Sequence, residues 1–124
     1  MPQQPTVLVV EDELGPRESL RAVLQSDYEV LLASDGAQAL TIIAQVPVDV
    51  VLLDLRLPGL SGWQVVEQLQ ALQRALPVIV VTSYEPDARV DQELGAHLFA
   101  YIVKPFHVSH LRETVKRAVA HRSP

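Results

Sequence analysis

The ten residues Val50-Val51-Leu52-Leu53-Asp54-Leu55-Arg56-Leu57-Pro58-Gly59 decide how the rest of the chain is read. Four apolar residues run straight into an aspartate, and a Pro-Gly pair closes the segment four residues later. A short apolar run bounded by turn formers suits a strand covered on both faces, as in a parallel sheet packed between helices. Open parallel sheets bind ligands beyond the carboxyl ends of their strands, which is where Asp54 falls. A carboxylate there is held by a rigid strand and meets solvent through a loop. Asp54 is therefore the candidate reactive group.

Working outward, residues 6–10, 29–33, 78–81 and 99–103 form further apolar, β-branched runs of strand length, and the central run extends over 49–53. Between them, apolar residues recur at helical spacing. Leu20, Val23 and Leu24 mark the first such segment, and Ala37, Leu40, Ile43 and Ala44 the second. Val66, Leu69, Leu72 and Leu76 mark the third, and Val108, Leu111, Val115, Ala118 and Val119 the last. The segment 85–94 has few apolar positions and stops at Gly95, so it predicts a short, frayed or mobile helix. Five strands alternating with five helices predict a doubly wound α/β domain, because parallel strands need helical crossovers. At this size a flavodoxin-like strand order 2-1-3-4-5 is expected. One domain spans residues 1–124, structured from about 6 to about 120 with short tails at each end.

Composition narrows the function. The chain has 124 residues, 48% hydrophobic and 20% charged, in the range of globular domains. A net charge of −5 argues against a nucleic-acid or anionic-membrane footprint. The absence of cysteine removes disulfides, thiolate metal sites and cysteine nucleophiles. The N-terminal Met1-Pro2-Gln3-Gln4-Pro5 lacks the pattern of a signal peptide, and no apolar run reaches membrane-spanning length. A cytoplasmic protein is expected.

The expected strand order brings several chemically active residues together. The first strand ends in Glu11-Asp12, the third in Asp54, the fourth in Thr82-Ser83 and the fifth in Lys104-Pro105. Clustered carboxylates repel unless a cation lies between them. A hard divalent ion such as Mg2+ takes oxygen ligands, few of them from protein. Lys104 offers a point charge suited to a phosphate and Thr82 a hydroxyl donor. Acids, metal, hydroxyl and lysine together point to phosphoryl transfer, with a carboxylate as a competent acceptor.

These residues resemble the receiver domain of two-component response regulators. The resemblance covers nearly the whole chain: Val9-Val10-Glu11-Asp12-Glu13, then Asp54-Leu55-Arg56-Leu57-Pro58-Gly59 with Ser61-Gly62, then Val80-Val81-Thr82-Ser83, then Tyr101-Ile102-Val103-Lys104-Pro105-Phe106. It implies a signalling switch rather than an enzyme, in which Asp54 accepts a phosphoryl group from a phosphohistidine on a sensor histidine kinase or a histidine phosphotransfer protein. It implies Mg2+ held by the carboxylates of Asp12 and Asp54, by the backbone carbonyl of Arg56, and by Glu11 through water. Lys104 would pair with the phosphoryl oxygens and Thr82 would swing in to hydrogen-bond one of them. Tyr101 would then turn inward and re-form the face made by the fourth helix, fifth strand and fifth helix, where homodimerisation is also expected. The Lys104-Pro105 bond is expected to be cis.

Singly, each residue has a plainer reading. Glu11-Asp12 could be a solvated loop or a helix cap, Asp54 a turn former, Thr82 a cap, Lys104 a surface lysine and Tyr101 a core aromatic. Their joint placement at four strand ends argues for a site. His107 and His110 read as one face of an exposed helix, Trp63 as packing, and Arg112, Lys116, Arg117 and Arg122 as complements to a helix dipole. Three other classes compete. A flavin domain would need a phosphate-cradling loop where Glu11-Asp12-Glu13 stand. An aspartyl-phosphate hydrolase would want a second acid at Arg56. A degenerate receiver serving only as a protein-binding module is the remaining alternative. Relative to the family pattern, the segment before Gly95 is short and the stretch to Tyr101 long, while Arg56 and Tyr84 stand where side chains bear on phosphoryl lifetime.

Overall fold

The computed structural model describes residues 4–72 and 75–121. Along the chain run β1 (Thr6–Val10), α1 (Leu14–Leu24), β2 (Glu29–Ala33), α2 (Gly36–Gln45), β3 (Val50–Leu53) and α3 (Gly62–Ala71). There follow β4 (Val78–Thr82), α4 (Ala88–Glu93), a 3-10 turn (Gly95–His97), β5 (Ala100–Val103) and α5 (Val108–His121). The five strands are all parallel and lie in the order β2-β1-β3-β4-β5, as the sequence pattern predicts.

The pleat sends alternate residues of each strand to opposite faces, and both faces are covered. Leu8, Val10, Val51, Leu53 and Val80 pack with Ala39 and Ile43 of α2 and Val65, Val66 and Leu69 of α3. Val7, Val9, Leu52, Ile79 and Val81 pack with Leu20 and Leu24 of α1 and Leu111, Val115 and Ala118 of α5. All four residues of β3 are 0–1% exposed, which is why that strand reads as an unbroken apolar run. Each such side chain stabilises the fold by about 1.5–3 kcal/mol relative to exposure. The sheet is therefore a stiff platform whose carboxyl edge carries Asp54.

Helix ends follow local chemistry. Asp35 caps α2 by accepting from the Gln38 N–H at 2.7 Å. Ser61 and Gln64 form a reciprocal capping box on α3. Gly59 turns the chain between Asp54 and α3 at φ 67°, a backbone conformation that glycine adopts without a Cβ penalty.

Some helical expectations shift. The buried face of α2 runs through Gly36, Ala39 and Ile43, while Ala37 and Ala44 are exposed. Gly36 packs so close to Leu60 and Val65 that a Cβ would meet them at 2.6–2.7 Å, and this contact sets the rotation of the helix. Leu72 is 60% exposed at the end of α3, and Leu76 lies beyond it, because Pro77 disfavours helical backbone in the preceding residue. The weak fourth segment is a six-residue helix capped by Asp87. His107 precedes α5 rather than sharing a helical face with His110. Arg122 lies outside the described residues.

Candidate functional site

Backbone pairing continues one residue past the strands and fixes the site's scaffold. The Glu11 N–H donates to the Ala33 carbonyl, Asp54 to Val10 and Lys104 to Thr82. Glu11, Asp54 and Lys104 thus leave β1, β3 and β5 with rigid backbones, and β4, which ends in Thr82, lies between the last two. Their side chains converge.

Lys104 Nζ lies 2.5 Å from Glu11 Oε1 and 3.1 Å from Asp54 Oδ2. The Thr82 hydroxyl donates to Asp54 Oδ1 at 2.7 Å, and the Arg56 N–H donates to the same oxygen at 2.9 Å. The side chain of Glu11 is 2% exposed, that of Asp54 10% and that of Lys104 23%. Burial alone would raise the Asp54 carboxyl. The Arg56 N–H, the Thr82 hydroxyl and the Lys104 ammonium outweigh it and hold the group below its ordinary value. Asp54 is therefore a charged, accessible-edge carboxylate. At Glu11 burial wins over Lys104, and the carboxyl is raised. Burial would lower Lys104, but Glu11 and Asp54 keep its ammonium above the usual value.

The remaining predicted residues sit around this cluster. The Asp12 side chain is exposed and makes no direct contact with it. Arg56 is exposed as well; it contributes its N–H to Asp54 and lays its guanidinium 5.7 Å from the centre of the Tyr84 ring. Thr82 already touches Asp54, so no swing is needed to bring its hydroxyl to that carboxylate. Tyr101 is half-buried and donates its hydroxyl to the Tyr84 carbonyl at 2.6 Å. Burial first, then nearby negative charge, pushes its phenol up to about 12. The Lys104-Pro105 bond is cis. Asp54 is also a turn former through its bond from Arg56, so the plain and the functional readings coexist there. Glu13, not Glu11 or Asp12, stands at the start of α1, and without a side-chain cap.

The donor set fits a hard divalent cation. Two carboxylates share one ammonium, leaving the cluster net negative, and every free donor is oxygen. Glu11 Oε2 is buried with no hydrogen-bond partner, an orphan that a water or a cation's hydration shell would satisfy. No group of three or more acidic or histidine side chains is gathered closely enough to form a full cage among the described residues. Such an ion would keep much of its water, as Mg2+ does.

Sequence reading passed over part of this neighbourhood. Tyr84 joins the Thr82 hydroxyl, the Tyr101 hydroxyl and the Asp87 carboxylate, and only its place two residues past Thr82 drew attention to it. Trp63, read as packing, meets the Tyr84 ring edge-on at 5.8 Å. Arg89, four residues before Glu93, was legible only as an intrahelical ion pair, yet it also covers the Trp63 ring.

Comparison with known proteins decides the family. The sequence pattern of the response regulator receiver domain matches residues 7–116. The chain belongs to the response regulator receiver domains. The receiver domain is 33% identical over 114 residues to sporulation initiation phosphotransferase F of Bacillus subtilis, covering 90% of both chains. It is 33% identical over 118 residues to the hydrogenase transcriptional regulatory protein HoxA of Cupriavidus necator, covering 94% of this chain but 24% of that one. The chain thus spans about a quarter of the length of such transcriptional regulators. Among solved structures, response regulator TrrA of Thermotoga maritima, in complex with Mg2+-BeF, superposes with a TM-score of 0.82 at 32% identity, covering 93% of this receiver domain and 99% of that chain. A CheY-like receiver domain protein of Methanospirillum hungatei gives a TM-score of 0.88 at 27% identity, covering 95% of each chain. A receiver domain is a signalling domain, and among the described residues no helix is long and apolar enough to cross a membrane.

Proposed function

We propose that this receiver domain is a phosphorylation-dependent switch in which Asp54 accepts a phosphoryl group from a phosphohistidine on a sensor histidine kinase or histidine phosphotransfer protein. The observation that carries the reading is the Asp54 carboxylate itself. It is held charged at a strand end, with Lys104 at 3.1 Å on one oxygen and Thr82 at 2.7 Å on the other. In the transfer, an Asp54 oxygen bonds to phosphorus as the phosphorus–nitrogen bond breaks. The electron pair returns to the donor ring, whose other nitrogen keeps its proton, so neutral imidazole leaves. Lys104 neutralises charge on the transferring group and Thr82 donates to one of its oxygens.

Mg2+ would be held by the Asp12 and Asp54 carboxylates, the Arg56 carbonyl and, through water, Glu11. It would supply positive charge for the phosphoryl oxygens. The complex of TrrA with Mg2+-BeF supports this ligand chemistry in a relative. A cleft of about 310 Å3 lined by Pro16, Leu20, Val23, Phe106 and Val108 opens beside Lys104. Its apolar walls support a protein rather than a small-molecule donor.

Added phosphoryl charge draws the Thr82 hydroxyl away from its bond with the Tyr84 N–H. Tyr101, whose hydroxyl rests on the Tyr84 carbonyl, follows. The change then reaches the α4–β5–α5 face, where homodimerisation is the expected output, in a cytoplasmic setting. The net charge of −5 supports no direct nucleic-acid contact by this segment.

The test is intact mass after incubation with acetyl phosphate, with and without Mg2+, on wild type and Asp54→Asn. A gain of one phosphoryl group that needs both Mg2+ and Asp54 is expected. No gain from acetyl phosphate or from a kinase donor, while Mg2+ still binds, would replace the switch with a protein-binding module.

A further inference from the structure

Arg17, near the start of α1, is a half-buried cation that forms no ion pair among the described residues. The neighbouring Glu18 is taken by Arg21 at 2.6 Å. The Arg17 guanidinium folds back on the loop that joins β1 to α1. There Nη1 donates to the Glu11 carbonyl at 3.1 Å and to the Asp12 carbonyl at 3.4 Å. The helix cannot supply the second of these bonds, because Pro16, four residues after Asp12, has no N–H. The Arg17 N–H in turn donates to the Glu13 carbonyl at 3.0 Å. Backbone and side chain of one residue thus hold the carbonyls of three consecutive acids.

That grip decides the direction of Asp12. A peptide unit is planar, so each residue has only two soft backbone dihedrals. The carbonyls of Glu11 and Asp12 belong to the two peptide planes on either side of the Asp12 Cα. Holding both fixes φ and ψ there, and with them the Cα–Cβ bond that carries the carboxylate. The side chain itself is exposed and makes no hydrogen bond among the described residues. We propose that Arg17 is a positioning residue for Mg2+, acting through the Asp12 backbone to hold its carboxylate ready for the ion. The proposal rests on the reading of Asp12 as a Mg2+ ligand. Two effects oppose each other when Arg17 is lost. Removing a positive charge beside an acidic cluster favours a cation, but at the surface water and salt keep that effect small. Freeing the loop disfavours the ion, because Asp12 must then be ordered as it binds. Groups that orient metal ligands are typically worth about 10–100-fold in affinity. Positioning outweighs charge, and the two predict opposite signs.

The experiment titrates Mg2+ by calorimetry into wild type, Arg17→Leu and Arg17→Lys, with urea unfolding in the absence of Mg2+ to show that each is folded. Leucine keeps an apolar stem without donors; lysine keeps the charge without the fork. Arg17→Leu should raise the Kd about three- to ten-fold, since one ligand of several is loosened and the lost charge offsets part of the effect. Arg17→Lys should fall between wild type and Arg17→Leu. In labelling with acetyl phosphate, the Mg2+ concentration for half-maximal rate should rise by the same factor while the rate at saturating Mg2+ returns to the wild-type value. A general loss of structure would not give that split. A Kd in Arg17→Leu equal to or tighter than wild type overturns the proposal. So does an unchanged Kd with a lower saturating rate, which would give Arg17 a role toward the phosphodonor. A wild type that binds no Mg2+ refutes the metal reading and this inference with it. A wild type that binds Mg2+ yet accepts no phosphoryl group refutes the phosphoacceptor reading alone, because the comparison of Kd values needs no labelling.

Discussion

Replacing Gly62 by alanine adds one methyl group at the first position of α3, directly behind the reactive carboxylate. A Cβ there would stand 2.4 Å from the Asp54 carbonyl oxygen and 2.6 Å from Leu55 Cα, where ordinary contact begins at 3.4 Å. Both neighbours are backbone, so no rotamer change relieves the overlap. Overpacking costs about 1–3 kcal/mol, and contacts this short with backbone belong at the top of that range. Against it stands the advantage of alanine over glycine in helix propensity and unfolded-state entropy, at most about 1 kcal/mol. The clash wins by about 2 kcal/mol, which for a domain of this size lowers Tm by about 8 °C. Gly15, in the first turn of α1, is the control: apart from its chain neighbours nothing lies within 4 Å of an added Cβ, and the helical position before Pro16 carries only the modest pre-proline penalty, so Gly15→Ala should cost much less than Gly62→Ala. Urea and thermal unfolding of the two variants measure the contrast. The displaced peptide is the one that carries Asp54, so Gly62→Ala should also slow phosphoryl uptake under conditions where the variant is fully folded. A Gly62→Ala protein within about 0.5 kcal/mol of wild type would refute the packing argument.

Three further outcomes are expected. Arg56→Ala should shorten the phosphoryl lifetime on Asp54, and an equal or longer half-life by intact mass would reject a shielding role for the arginine. Lys104→Met leaves the carboxylates of Glu11 and Asp54 facing each other without their cation, a loss of about 3 kcal/mol at pH 8. Burial raises the Glu11 carboxyl, so protonation on acidification relieves the repulsion and the deficit should shrink as pH falls; a deficit independent of pH would contradict this. Tyr101 titrates at about 12 against an ordinary 10.0, so its contribution is complete below pH 10 and is lost between pH 10 and 12. Ultraviolet titration should show that late phenolate step disappear in Tyr101→Phe, and its persistence would assign the step to another tyrosine.

Much of this molecule was legible because its signals are local. A strand buried on both faces must be apolar throughout, so residues 50–53 announced a parallel sheet. The turn at Pro58-Gly59 and the caps at Asp35 and Ser61 each follow from side chains within a few residues. At α2, where the buried face differed from the periodicity, a long-range contact had decided the matter. The face of α2 is set by the approach of Gly36 to Leu60 and Val65, which no periodicity within residues 36–45 contains.

By itself, then, the sequence determined the element order, the parallel sheet and the residue types delivered to its carboxyl edge, because strand and helix periods and turn chemistry act between near neighbours. Only the tertiary structure decided which of those residues touch. It joined Lys104 to both Glu11 and Asp54, left Asp12 exposed, and brought Arg56 and Tyr84 from two loops against Trp63 of α3 and Arg89 of α4. Charge pairing and ring contact depend on distances of a few ångströms between residues up to 93 positions apart. Such distances are fixed by the packing of the whole sheet and its helices, not by any stretch of the chain.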